Sequence, residues 1–300
     1  MDRRGYLRVV GVGGTLALAG CGSDAGADDG AAGVQPPDTG TLTLATATTA
    51  YDSGLLDAVI TEFEETFGGS VRTLPRGTGG SLETARNGDA DVVVVHARPL
   101  EDEFLRAGHG VNRRALMVND FLVVGPPDDP AEIAGKDPAE AFRAIADAAA
   151  QFVSRGDRSG THIREQRIWD AAGVDPGGDW YRETGQGMGN TLTVAEQMGA
   201  YTLTDRGTFL TVREGALTPH VDRGIDDPPA LLRNEYAVIP TNPARHDVAY
   251  PLAMAFVGYL TGPGRSEIES FRIDGERAFR PVGASENPNF GQYVPSDWES

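Results

Sequence analysis

The residue types best suited to chemistry occur together in one stretch, FVSRGDRSGTHIREQRIW. Two apolar residues and a serine lead to Arg155 and Asp157, and then to Ser159, Gly160 and Thr161 at the start of a helical pattern. A guanidinium donates several hydrogen bonds in one plane, and an aspartate two residues away can fix its orientation. Hydroxyls, a glycine and the free N–H groups of a helix start add neutral donors. This combination favours an oxyanion site, although Arg155 and Asp157 could instead form an ordinary surface ion pair.

Three other stretches, TATTAYDSGLL, RGTGGSLE and GQGMGNTLTVAEQ, carry similar residues where a predicted strand meets a predicted helix. Their hydroxyls, amide and glycines are Thr46, Thr48, Thr49, Ser53, Gly77, Thr78, Gly79, Ser81, Gly187, Gly189, Asn190 and Thr191. Such junctions lie at the carboxyl ends of strands, where open α/β sheets bind ligands. Taken singly, each junction is better explained by ordinary helix capping. Taken together with the arginine, the four junctions predict a shared site for one small anion.

The elements between these junctions alternate between strand and helix. SGLLDAVITEFEETFG has apolar residues on one helical face, and ADVVVVHA is a β-branched run that favours a strand buried on both faces. Further predicted strands are TLTLATAT, SVRTLPRG, NDFLVVG, QFVSRG, AYTLT and EYAVIPT, and further predicted helices are GGSLETARNG, DPAEAFRAIADAA, THIREQRIWDAAG and TLTVAEQMGA. This alternation predicts an α/β fold with largely parallel sheets covered by helices.

The charge and composition of the chain exclude several classes of function. It carries 44 acidic and 26 basic side chains, a formal net charge of −18. This negative charge repels nucleic acid and anionic lipid, so binding to either is excluded. Lys136 is the only lysine, and an acidic excess with scarce lysine favours a halophilic protein; an ordinary acidic protein is the alternative. The five histidines are scattered, and no nucleophile or metal-binding motif occurs. We therefore expect no enzyme, no metal and no other cofactor.

The first 21 residues, MDRRGYLRVVGVGGTLALAGC, are typical of a signal peptide for twin-arginine (Tat) export. Arg3 and Arg4 precede an apolar run too short to span a bilayer, and Leu18–Cys21 resembles a lipobox. Cys21, the only cysteine, would then carry a lipid; a buried structural cysteine is the alternative. Residues 22–40 consist largely of Gly, Ala, Asp, Ser and Pro and predict a flexible tether. These features predict a lipoprotein held extracytoplasmically, on the outer face of the cell membrane.

Five stretches together resemble the tungstate-binding component of ABC importers, a TupA-like extracytoplasmic solute-binding protein. They are LATATTAYDSGLLD, GTGGSLETARNGDADVVVVHA, GVNRRALMVNDFLVVGPPDDPA, FVSRGDRSGTH and GQGMGNTL with AYTLTDRGT. The resemblance implies a two-lobed fold of the periplasmic-binding-protein type II, each lobe a mostly parallel sheet flanked by helices. Residues 41–121 and 241–300 would form one lobe and 125–237 the other. Hinges near Phe121–Gly125 and Val238–Asn242 would close the lobes on the ligand.

The resemblance also implies which residues contact the anion. The implied contacts are Thr48, Thr49, Thr78, Gly79, Arg155, Ser159, Gly160 and Thr161, with Asp157, Gly187 and Gly189 behind them. The chain departs from the family pattern at three positions, and at one of them Thr49 replaces a serine and keeps the hydroxyl. Ala47 replaces a hydroxyl of the first junction and offers no side-chain donor, and Gly80 stands where the family often has lysine.

The function implied is capture of tungstate, or of molybdate, for import through ABC permease and ATPase subunits, with the binding protein acting as a monomer. Tungstate and molybdate are fully deprotonated at neutral pH and only accept hydrogen bonds, whereas phosphate keeps a proton that needs an acceptor. The stretch Arg155–Thr161 also fits a phosphate-binding pattern in which Asp157 is that acceptor, so a phosphate transport protein is the alternative. A tethered oxyanion sensor is a further alternative.

Overall fold

The described part of the chain, residues 40–212 and 215–282 of the computed structural model, contains ten strands and ten α-helices. The strands are β1 (Thr41–Ala47), β2 (Ser70–Arg76), β3 (Val92–Val95), β4 (Arg114–Gly125), β5 (Phe152–Ser154), β6 (Tyr181–Glu183), β7 (Thr202–Asp205), β8 (Thr218–Val221), β9 (Arg233–Pro240) and β10 (Arg280–Pro281). The helices are α1 (Thr48–Asp52), α2 (Leu55–Phe67), α3 (Thr78–Arg86), α4 (Arg98–Arg106), α5 (Pro138–Asp147), α6 (Gly160–Ala172), α7 (Met188–Met198), α8 (Arg206–Thr211), α9 (Tyr250–Thr261) and α10 (Arg265–Ser270). The predicted signal peptide, Cys21 and the tether up to residue 39 lie outside the described residues.

The main sheet has the strand order β10-β4-β9-β3-β1-β2, with β7 and β8 also paired to β4. Strand β1 is parallel to β2 and to β3, whereas β9 is antiparallel to both β3 and β4. The predicted α/β architecture is confirmed, and the sheet is mixed rather than mostly parallel. The pattern could not separate the two arrangements, because a buried run such as Val92–Val95 packs equally well beside a parallel and an antiparallel neighbour.

Strand β4 changes partners along its length. Its first part pairs with β9, and from Phe121 onward it pairs with β7 and then with β8. At this change Asn119 lies opposite Asn234, and Phe121 lies opposite Asp205. Polar residues of three strands are therefore brought close to one another in the middle of the sheet.

Two groups of apolar side chains form the core on either side of this change of partners. Around β1 and β3, Val92 and Val94 face one buried cluster while Val93 and Val95 face another, which confirms the predicted strand buried on both faces. Beyond Phe121, the core is built on aromatic contacts; Trp169 lies 4.3 Å from Phe142 and 5.1 Å from Phe152 between ring centroids. Burying each such ring stabilises the fold by about 1.5–3 kcal/mol.

The ends of the helices follow the local sequence. Gly68 and Gly173 adopt left-handed φ angles of 72° and 68° directly after α2 and α6, a conformation that ends a helix at little cost only with glycine. Proline lies in the first turn of α4, α5 and α9, where its missing N–H costs no intrahelical bond. Within residues 40–212 and 215–282, no helix combines the length and apolar character needed to cross a bilayer.

Candidate anion-binding site

The loop between β5 and α6 is a tight turn that ends in a capped helix. Gly156 and Arg158 have positive φ angles of 62° and 56°, so two residues of this short loop adopt the left-handed conformation. The Oγ atom of Ser159 accepts the N–H of His162 at 3.3 Å and caps α6. The N–H groups of Gly160 and the residues after it therefore begin a helix of 13 residues, whose positive end favours anions.

Arg155 is buried and its guanidinium is fixed by Asp157. The Nε and Nη2 atoms donate to Oδ2 of Asp157 at 3.1 and 2.6 Å, and the N–H of Ser159 donates to Oδ1 at 3.0 Å. Because only 4% of Arg155 is exposed, the pair differs from the surface ion pair of the alternative interpretation. Burial raises the pKa of Asp157, but hydrogen bonds from Ser159 and the charge of Arg155 outweigh it and hold this pKa below its ordinary value. The carboxylate is therefore ionised, with both oxygens engaged.

His96, directly after β3, is linked through its ring and its backbone N–H to three of the four junctions. Its ring stacks on Tyr236 with 4.7 Å between centroids, and the hydroxyl of Tyr236 lies 2.6 Å from Oγ1 of Thr49. The N–H of His96 donates to Oγ1 of Thr78 at the long distance of 3.5 Å. Gly160 lies directly against the ring of His96, since a Cβ atom added to Gly160 would lie 2.4 Å from Cε1 of His96. Gly160 thus packs against the ring of His96, Thr78 accepts from its backbone N–H, and Thr49 is linked to it through Tyr236, although the three residues are far apart in the sequence.

Several buried polar atoms of the second and third junctions and of β9 have no hydrogen-bond partner. They include Oγ1 of Thr161, Oγ of Ser81 and Nδ2 of Asn234. Oδ1 of Asn234 accepts a hydrogen bond from Nδ1 of His96 at 2.8 Å, which leaves its Nδ2 group as a free donor. An unsatisfied buried group costs about 1–3 kcal/mol, so such groups are retained where a ligand satisfies them. All three can donate hydrogen bonds to an oxyanion.

The fourth junction joins the third through its backbone. The N–H of Gly185 donates to the carbonyl oxygen of Arg155 at 2.8 Å, and Oγ1 of Thr184 lies 3.0 Å from Oγ1 of Thr191. Gly187 is exposed and Gly189 is half-buried. Their carbonyl oxygens accept hydrogen bonds from the hydroxyls of Thr191 and Thr193, which belong to the same helix, α7. The structure thus places these two glycines at the edge of the cluster.

The remaining predicted contacts differ in burial. Thr49, Thr78, Ser159 and Thr161 are at most 4% exposed, whereas Thr48 is half-buried and Gly79 is exposed. A groove of about 710 Å³ lies beside β2 and α3, but none of the predicted contacts lines it. The central residues are therefore largely shielded from solvent.

The charge of Arg155 acts on groups from several other elements. Burial, together with the charges of Arg155 and Arg164, lowers the pKa of His96 to about 4, so the imidazole is neutral at neutral pH. Burial raises the pKa of Asp52 and of Asp205, while Arg155 partly offsets both effects. A buried guanidinium beside a neutral ring and free donors is suited to binding an anion through hydrogen bonds and dipoles.

The sequence interpretation missed His96, Asn234 and Tyr236. Two signals could have found them. His96 directly follows the fully buried strand β3, at the same sheet edge as the first two junctions. Asn234 and Tyr236 alternate with the charged residues Arg233 and Glu235 at the start of β9, which places both on the opposite, buried face of the strand.

Residues 31–263 match the PBP superfamily domain. A putative ABC transporter anion-binding protein of Haloferax volcanii is 52% identical over 100% of this chain and 91% of its own length. The tungstate-binding protein TupA of Peptoclostridium acidaminophilum is 38% identical over 77% of this chain and 80% of its own length. The chain belongs to the TupA-like family of ABC-transporter solute-binding proteins.

A solved structure supports the same family. The tungstate ABC transporter protein from Geobacter sulfurreducens is 44% identical, with a TM-score of 0.71 over 77% of this chain and 98% of that one. The resemblance inferred from the five stretches is thereby confirmed. TupA-like proteins are extracytoplasmic binding components of transporters, so the assignment to a class other than enzymes is also confirmed.

Proposed function

We propose that this protein captures tungstate, or molybdate, at the cluster around His96 and delivers it to ABC permease and ATPase subunits. The observation that carries the proposal is the meeting of Thr49, Thr78 and Gly160 around His96. The proposed contacts are Thr48, Thr49, Thr78, Gly79, Arg155, Ser159, Gly160 and Thr161, supported from behind by Asp157, Gly187 and Gly189. The tungstate-binding relatives provide independent support.

The hydrogen-bonding capacity of the cluster favours a fully deprotonated anion over phosphate. Phosphate keeps a proton at neutral pH and needs a hydrogen-bond acceptor for it. In the phosphate-binding pattern, Asp157 would be that acceptor. Both Asp157 oxygens already accept hydrogen bonds, from Arg155 and Ser159. Thr161 and Asn234 contribute unsatisfied donors instead. A site of donors suits tungstate and molybdate, which only accept.

We also propose that binding closes two lobes, residues 41–121 with 241–300 and residues 125–237. In support, β4 changes partners at Phe121, and separate apolar clusters lie on either side of that change. The burial of the central donors adds to this support, because a closed cluster needs an opening motion to admit its ligand.

Attachment to the membrane through lipid on Cys21 is part of the proposal and depends on the sequence of residues 1–21. A protein held at the outer face of the membrane would capture the anion close to its permease. The second candidate is a tethered sensor that binds the same anion, and the same anchoring sequence favours it. The two functions differ in one measurable respect, because only a transport protein is required for uptake of the anion.

Titration calorimetry of the protein in concentrated salt, with tungstate, molybdate, sulfate and phosphate in turn, tests the proposal. We expect tungstate and molybdate to bind far more tightly than sulfate or phosphate. Tighter binding of phosphate than of tungstate would establish the phosphate alternative, and binding of none of the four would refute the oxyanion site.

A further inference from the structure

We propose that His96 is a positioning residue of the anion site, whose ring sets the separation between Tyr236 and the start of α6. The inference rests on the proposed function, since it names what holds the donors of that site in place. Three observations carry it: the contacts on the two faces of the ring, the hydrogen bond that fixes its orientation, and the free donors beside it.

The ring of His96 lies between an aromatic ring and a glycine. Tyr236 stacks on one face at 4.7 Å, with 18° between the ring planes. On the other side, a Cβ atom on Gly160 would lie 2.4, 2.7 and 2.8 Å from Cε1, Nε2 and Nδ1. Three similar distances to one end of the ring mean that the backbone of Gly160 rests against its face. No side chain fits between them.

Gly160 is therefore required for space and not for backbone conformation. It is the first residue of α6, where the geometry of the helix does not require glycine. Its φ angle is outside the left-handed region, so other residues could adopt its backbone conformation. The close approach to His96 is the remaining reason for glycine at this position.

The orientation of the ring is fixed by Asn234. Nδ1 of His96 donates to Oδ1 of Asn234 at 2.8 Å, so the proton of the neutral ring lies on Nδ1. Within residues 40–212 and 215–282, Nε2 of His96 has no hydrogen-bond partner. Arg155 and Arg164 are the charged groups whose fields reach the ring, and both favour its neutral form. A neutral ring fills the space without competing for the anion.

The free donors lie on the segments that the ring separates. Thr161 directly follows Gly160 and its buried Oγ1 has no partner, while Thr49 touches the hydroxyl of Tyr236 on the opposite side. The thickness of the imidazole therefore fixes the distance between the donors of α6 and those of the first junction. A smaller side chain at position 96 would let these segments approach and would lose the geometry needed by a tetrahedral anion.

The test enlarges the side chain at position 160 and shortens the one at position 96 in the full chain, and tungstate titration measures the effect of each change. We expect Gly160→Ala and His96→Ala each to weaken tungstate binding at least tenfold. The double variant, in which the added methyl group occupies part of the space left by the ring, should bind at least fivefold more tightly than Gly160→Ala alone. Losses that simply multiply in the double variant would overturn the inference.

Controls separate this inference from a general loss of stability and from failure of the proposed function. His109→Ala, at a histidine outside the cluster, should leave tungstate affinity unchanged, and thermal unfolding should show His96→Ala folded at the titration temperature. If Gly160→Ala does not fold, His96→Ala decides alone: affinity equal to that of the wild type overturns the inference. Wild-type protein that binds no tungstate refutes the proposed function instead, and this inference with it.

Discussion

A single oxygen of Asp157, Oδ2, accepts both hydrogen bonds from Arg155, while its other oxygen accepts the backbone N–H of Ser159. The guanidinium is therefore oriented by a partner that is itself tied to the helix start. Since the pair carries no net charge, the affinity for a dianion must come mainly from oriented N–H and O–H groups. Nη1 of Arg155 has no partner among residues 40–212 and 215–282 and remains able to donate.

Replacing Arg155 by glutamine should weaken tungstate binding at least tenfold, about 1.4 kcal/mol. The reason is the loss of charge-assisted hydrogen bonds from a buried guanidinium. Calorimetric titration measures the change, and Arg158→Gln is a matched control because Arg158 is exposed in the same loop. Equal tungstate affinity of wild type and Arg155→Gln would reject Arg155 as a contact.

Asp157→Asn should destabilise the folded protein at neutral pH but not in acid. The pKa of Asp157 is held below its ordinary value in the folded state, so its ionised form stabilises the fold above the unfolded pKa of about 3.8. That contribution is lost as the pH falls through the lower, folded pKa. Denaturant unfolding at pH 7 and at pH 3 measures the effect. A stability difference between variant and wild type that is as large at pH 3 as at pH 7 would contradict the assignment.

Glu165→Gln should remove a fall in stability that the wild type shows between about pH 4.5 and pH 7. Burial raises the pKa of Glu165 from 4.5 to about 7, while its Oε1 accepts the hydroxyl of Tyr181 at 2.8 Å. In this interval the folded state binds more protons than the unfolded state, so the free energy of unfolding falls as pH rises, by up to about 1.4 kcal/mol per pH unit. Glutamine keeps the acceptor and does not titrate. Parallel pH profiles for the two proteins would show that Glu165 is not the cause.

Gly156→Ala should cost more stability than Gly173→Ala. Both glycines have left-handed φ angles, 62° and 68°, so both substitutions introduce a similar backbone strain of about 1–2 kcal/mol. They differ in space: a Cβ atom on Gly156 would lie 2.6 Å from Cβ of Glu183, whereas nothing lies within 4 Å of one on Gly173. Denaturant midpoints of the two variants measure the difference, and equal midpoints would mean that the loop yields to the contact.

Much of the fold could be predicted from local patterns. The buried strand Val92–Val95 and the amphipathic helix Leu55–Phe67 follow directly from runs and spacings of apolar residues. The antiparallel pairing of β9 with β3 and β4 could not, because strand direction is decided by connections and packing distant in sequence. The change of partners in β4 falls where the resemblance implied a hinge, near Phe121–Gly125, but no local pattern in FLVVG identifies β7 and β8 as the new partners.

In the candidate site, too, contacts between residues close in sequence could be predicted and contacts between distant residues could not. Arg155, Asp157 and Ser159 are close in sequence, so their interaction could be predicted from spacing. His96 and Asn234 are 138 positions apart, and no local pattern connects them. A lone histidine after a strand is more often an ordinary buried residue than part of a site.

The continuous strand β4 limits where the length of this chain can change. Side chains alternate between the two faces of a strand, so one residue inserted before Phe121 would exchange inward and outward positions along the part that pairs with β7 and β8. Natural variation in length should therefore accumulate in surface turns and be nearly absent from positions 114 to 125.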